Sequence, residues 1–366
     1  LKFETEKLAS GNSLVKSFLI KGKDILLSGN AEFGKQEKEF IKANFDKILF
    51  GKNQLDRLDY NKQGEVINLF ARGNSIDLSP YINSNNSKSS INIDIKTDDV
   101  VLGENRFVKD TEARAICSEK CSFASINSKL ANGNNFRYSI KDGKVIAISN
   151  DAGELLRALG AISTIEGGDL TLDAAYNGNN IEGNVIVKDY KIKSAPILTK
   201  ILTIASLSGI IDTLSGNGIT FNKLSAPFNY KSGVIIVGDA KAFGSALGLT
   251  AKGTLELATS KIDMSGVIIP SYTINSLVGK IPLIGDLLVG GTGKGILAIN
   301  YSVKGDSADP SVTVNPLSAF TPGFLRSVFD VFDKPAPDMD KILEDRKKEE
   351  EKKRDKTLPS IDLIGK

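Results

Sequence analysis

Histidine and tryptophan are both absent from the 366 residues. Without imidazole, Ser-His and Cys-His nucleophilic catalysis and histidine-held metals are excluded together. Two cysteines, Cys117 and Cys121, cannot build a disulfide framework. In an extended strand, residues four apart lie about 13 Å from each other, so the pair is either bonded across an intervening turn or free. An excess of one charge is missing as well, with 47 Lys and Arg against 44 Asp and Glu. No basic stripe is interleaved with aromatics, so the composition points away from nucleic-acid partners. No signal peptide and no apolar run of membrane-spanning length is present.

Catalytic motifs are lacking too. Gly290-Gly291-Thr292-Gly293-Lys294-Gly295 looks like a phosphate loop, but Gly295 stands where Ser or Thr is required and Leu288 where the first glycine belongs. A tight turn into a strand is the better reading. Asp94, Asp98 and Asp99 lack calcium-loop spacing. Asp169 and Asp173 share a strand face that reads as solvent-facing. Ser163, Ser206 and Ser208 lie near glycines without a G-x-S-x-G elbow. No catalytic constellation, metal site or cofactor site emerges, and the expectation is a protein that is not an enzyme.

What the chain has is strands. Through residues 1–150, short alternating segments succeed one another, among them Lys42 to Phe50, Val66 to Phe70, Ile91 to Ile95, Asp99 to Leu102, Phe136 to Ile140 and Val145 to Ile148. Ile91, Ile93 and Ile95 share one face, with Asn92 and Asp94 on the other. Turn sequences such as Asn61-Lys62-Gln63-Gly64 and Lys141-Asp142-Gly143 separate them. At Asn150 the rhythm changes. Asp151 is placed as a helix N-cap, with Glu154 three residues on. Leu170, Leu172, Ala174 and Tyr176 then alternate with polar residues, and Ile181 to Val187 form the hairpin partner. Pro196 opens an apolar helix over 197–214. Hairpins resume at Ile219, where the run Val234 to Val237 suggests burial on both faces. The strand Ile262 to Ile269 ends at Pro270. An apolar helix is expected around 271–288, and an amphipathic segment over 317–332 carries Phe320, Phe324, Val328 and Phe332. The tail, 334–366, begins with a proline-rich linker and is mostly charged, a solvated helix or disordered chain. Three regions follow: 1–150, 151–333 and 334–366.

About twenty strands spaced at 4.8 Å make a sheet roughly 100 Å wide. The helices are too few to cover it. Its apolar face is therefore buried either by closing into a sandwich or by curling into an open trough filled by something apolar.

A family resemblance bears on that choice. From residue 270 onward the chain reads Pro270-x-Tyr272, Gly279-x-Ile281-Pro282-x-x-Gly285, Gly291-x-Gly293-x-Gly295 and Tyr301-x-Val303-x-Gly305. It continues with Asp309-Pro310-x-Val312-x-Val314-Asn315-Pro316-Leu317-Ser318 and Thr321-Pro322-Gly323-Phe324-Leu325-Arg326. This order resembles the C-terminal region of AsmA-like proteins, closest to their YhdP-like branch in Gram-negative bacteria. The likeness covers roughly the second half of the chain. It implies a mostly β fold, a long antiparallel meander curled into an elongated apolar groove with a few amphipathic helices near the C-terminal end, as in the related TamB-like proteins.

It also implies a function. Such a groove shelters or transports phospholipid between the inner and outer membranes, contributing to outer-membrane integrity. The implied location is the periplasm, anchored to the inner membrane through a segment outside this chain. The residues proposed to line the groove are Leu170, Leu172, Val185, Val187, Phe228, Tyr230, Leu255, Leu257, Ile262 and Met264. Ile281, Leu283, Leu287, Phe320, Phe324, Val328 and Phe332 are candidates for closing its end or meeting a membrane interface; the alternative is that they are ordinary core. The rival function is a non-enzymatic assembly or scaffold factor for outer-membrane proteins.

Overall fold

A computed structural model of the chain describes residues 2–35, 40–82, 90–118, 120–177, 180–270 and 298–315. The chain divides into two units, 1–318 and 319–366, and all described residues belong to the first.

Nineteen strands form one sheet. The first eleven are β1 (Lys2–Lys7), β2 (Ser13–Lys21), β3 (Ile25–Phe33), β4 (Phe40–Phe50), β5 (Asn53–Gln63), β6 (Val66–Asp77), β7 (Ser90–Gly103), β8 (Arg106–Cys117), β9 (Cys121–Lys129), β10 (Asn135–Lys141) and β11 (Lys144–Ser149). Helix α1 (Ala152–Ala158) precedes β12 (Ile165–Asn177) and β13 (Asn180–Ile192). Helices α2 (Pro196–Ile204) and α3 (Ser208–Ser215) precede β14 (Ile219–Lys231), β15 (Val234–Gly244), β16 (Leu247–Glu256) and β17 (Lys261–Pro270). The sheet ends with β18 (Ile299–Asp306) and β19 (Ser311–Asn315). Among the described residues each strand pairs with its neighbours in sequence, β1 pairs only with β2 and β19 only with β18, so the described sheet is not closed into a barrel. At a spacing of 4.8 Å it is about 85 Å wide.

The expected meander is antiparallel throughout except at one step. Strands β6 and β7 run parallel, Val66 beside Ser90 and Asp77 beside Val101. The connecting residues 78–89 supply the length that a parallel crossover needs, which a tight turn does not. Asp99 to Leu102, read from the sequence as its own strand, is the second half of β7.

Paired residues project to the same side of a sheet, so the registers trace each face across all strands. One row begins Thr5, Val15, Ala31, Ala43, Tyr60, Leu69, Ile93. It continues Ala115, Ala124, Ile140, Val145, Ala174, Gly183. It ends Phe228, Val237, Gly253, Met264, Val303, Val312. Every strand contributes one residue and none is charged. The adjacent row faces the other way and includes Glu32, Lys42, Asn61, Asn68 and Asn92, then Lys141, Lys144, Glu182, Asp263 and Lys304. Side chains of this outer face bond along the sheet, as in Asn44 to Asn30 at 2.8 Å, Asn92 to Asn68 at 2.9 Å and Arg72 to Asp94 at 2.6 Å. The molecule thus has an apolar inner face and a polar outer face.

Curling follows from the same residues. A concave face has less room than a convex one, and small side chains occupy its centre: Ala31, Ala43, Ala71, Ala124 and Ala174 are all buried. Mid-strand register shifts at Val15/Phe18, Ser28/Gly29, Leu55/Arg57, Ser225/Phe228 and Val237/Ala240 bend successive strands. Pro227, which has no N–H to donate, sits within one of these shifts, where a strand tolerates it. Gly253, at φ +146°, lies so close to β17 that a Cβ would stand 2.0 Å from the Asp263 carbonyl oxygen. Gly73, at φ +153°, approaches the Leu55 Cα in the same way.

The two edges of the curled sheet differ. At one, which we call the turn rim, strands join through short hairpins such as Lys141/Lys144, Lys231/Val234 and Glu256/Lys261. One of these, Cys117/Cys121 between β8 and β9, is closed by a disulfide, so the intervening turn brings the sulfurs together. The other, the helix rim, is where β11 leads into α1 and β13 into α2 and α3. Helix α1 starts as the sequence suggests: an Asp151 carboxylate oxygen accepts from the Glu154 N–H at 2.8 Å, and Ala152, Leu155 and Ala158 are buried. Replacing Asp151 with Ala removes this cap and the Asn132 bond at 2.7 Å, and is expected to lower stability by about 1 kcal/mol in urea unfolding.

The single helix expected over 197–214 is instead α2 and α3. Ser206 adopts a left-handed φ of +58° and breaks the run there. The expectation that 234–237 is buried on both faces also fails, because Ile236 points outward and is 50% exposed.

Candidate functional site

The inner face is not uniform along the strands. Near the helix rim it is packed solid: Leu202, Leu214, Ile219, Phe221, Leu247, Ile268 and Ile299 are essentially inaccessible. The rings of Tyr190 and Phe221 stack there with centroids 5.3 Å apart, and burial raises the Tyr190 hydroxyl far above its ordinary pKa. The Tyr301 hydroxyl donates to the Thr250 carbonyl at 2.7 Å, and burial pushes its pKa up to about 12. Toward the turn rim the same face is apolar but only half-buried. Its outermost row there is Tyr176, Ile181, Tyr230, Ile235, Leu255 and Ile262, each partly accessible.

This gradient sorts the residues picked out in the sequence. Leu172, Val185, Phe228, Tyr230, Leu255, Ile262 and Met264 lie together on the half-buried part of the inner face. Leu170 and Val187 share that face but are 6% and 1% exposed, so they belong to the packed core and do not line the accessible surface. Leu257 is not on the face at all: it falls in the turn after β16 and is 52% exposed, because the strand ends at Glu256. Ile281, Leu283, Leu287, Phe320, Phe324, Val328 and Phe332 lie outside the described residues.

The N-terminal strands extend the surface beyond those candidates. Leu58, Leu69 and Ile93 are partly exposed and continue the inner face through β5, β6 and β7. The alternation of Ile91, Ile93 and Ile95 carried that signal, since it identifies an apolar face without saying what lies across from it.

Helix α2 meets the last strand. The Lys200 ammonium donates to Asp309, just before β19, and holds that carboxyl below its ordinary pKa. Beside the pair is a crevice of about 430 Å³ lined by Thr199, Thr203, Ile204, Pro310 and Val312. With Ile201 and Leu202 buried beneath it, α2 bridges from the β13–β14 connection to the edge strand. No helix among the described residues is long and apolar enough to cross a membrane.

Physically, the site is an apolar surface whose row from Thr5 to Val312 carries no charge, more accessible toward the turn rim and packed beside the helices. Such a surface takes up hydrocarbon by removing it from water and needs no directional contact. Compared with family models, with curated proteins and with solved structures, the chain matches none.

Proposed function

We propose that this chain is a non-enzymatic lipid carrier that shelters the acyl chains of phospholipid in its curled sheet. The observation that carries this reading is the uncharged row of inner-face residues, one from every strand from Thr5 to Val312. A lipid sliding along the sheet would meet no charge on that row. Burial is worth about 0.8 kcal/mol per CH₂, so a single acyl chain supplies enough hydrophobic free energy to be held without a specific polar contact.

The AsmA-like resemblance supports the same reading and extends it to passage between inner and outer membranes, in the periplasm. The Cys117–Cys121 disulfide agrees with an oxidising compartment. Native mass spectrometry of the purified chain followed by lipid extraction tests the proposal. Phospholipid is expected to co-purify in stoichiometric amount or above. A chain that emerges lipid-free and stays lipid-free after incubation with phospholipid vesicles overturns it. The open edges β1 and β19 would then favour the scaffold role, through addition of a partner's strand.

A further inference from the structure

Four tyrosines, Tyr60, Tyr138, Tyr176 and Tyr230, point to the inner face near the turn rim. Tyr176 and Tyr230 are each the next-to-last residue of their strands, and they share the row that also holds Ile181. By register Tyr60 lies one row further from the rim, in the row of Phe228, and Tyr138 two rows further, level with Leu172, so Tyr176 and Tyr230 are the two that stand at the margin. All four are partly accessible, and none of their hydroxyls bonds to another described residue. The buried Tyr301 hydroxyl, by contrast, is satisfied within the protein. An amphipathic ring with an unengaged hydroxyl at the margin of an apolar surface is what an oil–water boundary selects.

Lysines accompany them. In sequence, the hairpin turns from β8–β9 to β14–β15 carry Lys120, Lys141, Lys144 and Lys231 against Glu119 and Asp142; Lys141, Lys144 and Lys231 fall in rows of the outer face and so flank the rim from its outer side. The Lys120 ammonium lies 5.5 Å from the Tyr176 ring centroid. At the opposite rim, beside β9 to β16, Leu130, Leu202, Leu214 and Leu247 are wholly covered, which leaves a guest's polar group less room there than at the turn rim.

We propose that the turn rim is a headgroup rail: glycerophospholipids lie with their acyl chains on the inner face and their phosphates over the rim, between Tyr176 and Tyr230 on its inner side and the turn lysines on its outer side. This rests on the lipid-carrier reading and adds to it the orientation of the bound phospholipid and the residues its phosphate meets. Hydroxyl and ammonium donors both suit a phosphate, and charge-assisted bonds are the stronger kind. Spaced donors along a rim let the phosphate pass from one to the next.

The chain has no tryptophan, so one introduced indole reports its own surroundings. Tyr176→Trp and, independently, Tyr230→Trp place it at the rail; Phe228→Trp places it deeper on the inner face. Each full-length variant is loaded from phosphatidylcholine vesicles carrying a nitroxide either on the headgroup or at the end of an acyl chain. The headgroup label is expected to quench the rim variants more strongly than the tail label, and the order is expected to reverse for Phe228→Trp. Equal or inverted order at both rim positions, with Phe228→Trp still quenched, overturns the rail alone. If neither label quenches any variant, the lipid-carrier reading falls and the rail with it.

As a second measurement, the combined Tyr176→Phe and Tyr230→Phe variant keeps the rings and loses the donors at the margin. Its affinity for phosphatidylcholine is expected to drop about tenfold or more, the loss of one or more bonds to a charged group, with binding of hexadecane, which has no headgroup, unchanged. An equal loss for both ligands, or none for either, counts against the rail.

Discussion

Substituting Asp for Phe228, or Lys for Met264, is expected to strip bound lipid from the chain while leaving its fold intact. Both residues lie in the uncharged inner row, flanked by Gly183, Val237, Gly253 and Val303, and both are only half-buried. In an empty trough the new charge reaches water, so the cost to stability is modest. In a filled trough it lies against hydrocarbon, where a charge costs about 3 kcal/mol, so retention should fall about a hundredfold. The contrast is Ile236→Lys on the outer face, at a position already 50% exposed, which should retain lipid as the unaltered chain does. Extracted phosphate per mole of protein gives the first quantity, and thermal unfolding by circular dichroism gives the second. A folded Phe228→Asp protein with undiminished lipid would remove the inner face from consideration as the lipid site.

The second large effect is structural. Gly253→Val is expected to destabilise the chain by at least about 3 kcal/mol, since it combines backbone strain with a steric overlap that nothing flexible can relieve. Its φ of +146° suits glycine, and the contact a Cβ would make at 2.0 Å is with backbone, not with the end of a side chain. Gly209 offers the opposite case. It lies in α3 with open space where a Cβ would go, so Gly209→Ala should stabilise by about 0.5 to 1 kcal/mol through helix propensity. Urea midpoints that moved in the same direction for both would contradict the view that close backbone approach at Gly253 sets the bend.

Strands with one apolar and one polar face were legible in the sequence. Leu170 to Tyr176 and Ile91 to Ile95 alternate clearly, and the registers put their apolar residues on a common side. Strands such as β5, reading NQLDRLDYNKQ, and β8, reading RFVKDTEARAIC, were harder to see because charged residues interrupt the alternation. Their pairing with more obvious neighbours compensates in the fold. The α2–α3 break was hidden because Leu207, Ile210 and Ile211 continue the apolar pattern past Ser206, whose backbone conformation no periodicity reports.

For the site, composition along one strand shows which side chains share a face, but not how far from the rim that face becomes packed. Leu170 and Leu172 look alike in sequence. The fold leaves the first 6% exposed and the second half-buried, a difference set by what packs across the face and not by the strand itself. The parallel step at β6 and β7 was equally silent, since alternation carries no direction.

That strand order has a consequence for how such a protein can change over time. Because every described strand bonds only to described strands next to it in sequence, an inserted or deleted hairpin lengthens or shortens the sheet without disturbing the other registers. A hairpin also adds two strands, so the chain re-enters the sheet travelling in its original direction and all later turns keep their edge. Losing a single strand would instead exchange the edges of everything downstream. The span of the molecule can therefore be adjusted in increments of about 10 Å, two strand spacings, by duplications confined to one short stretch of gene.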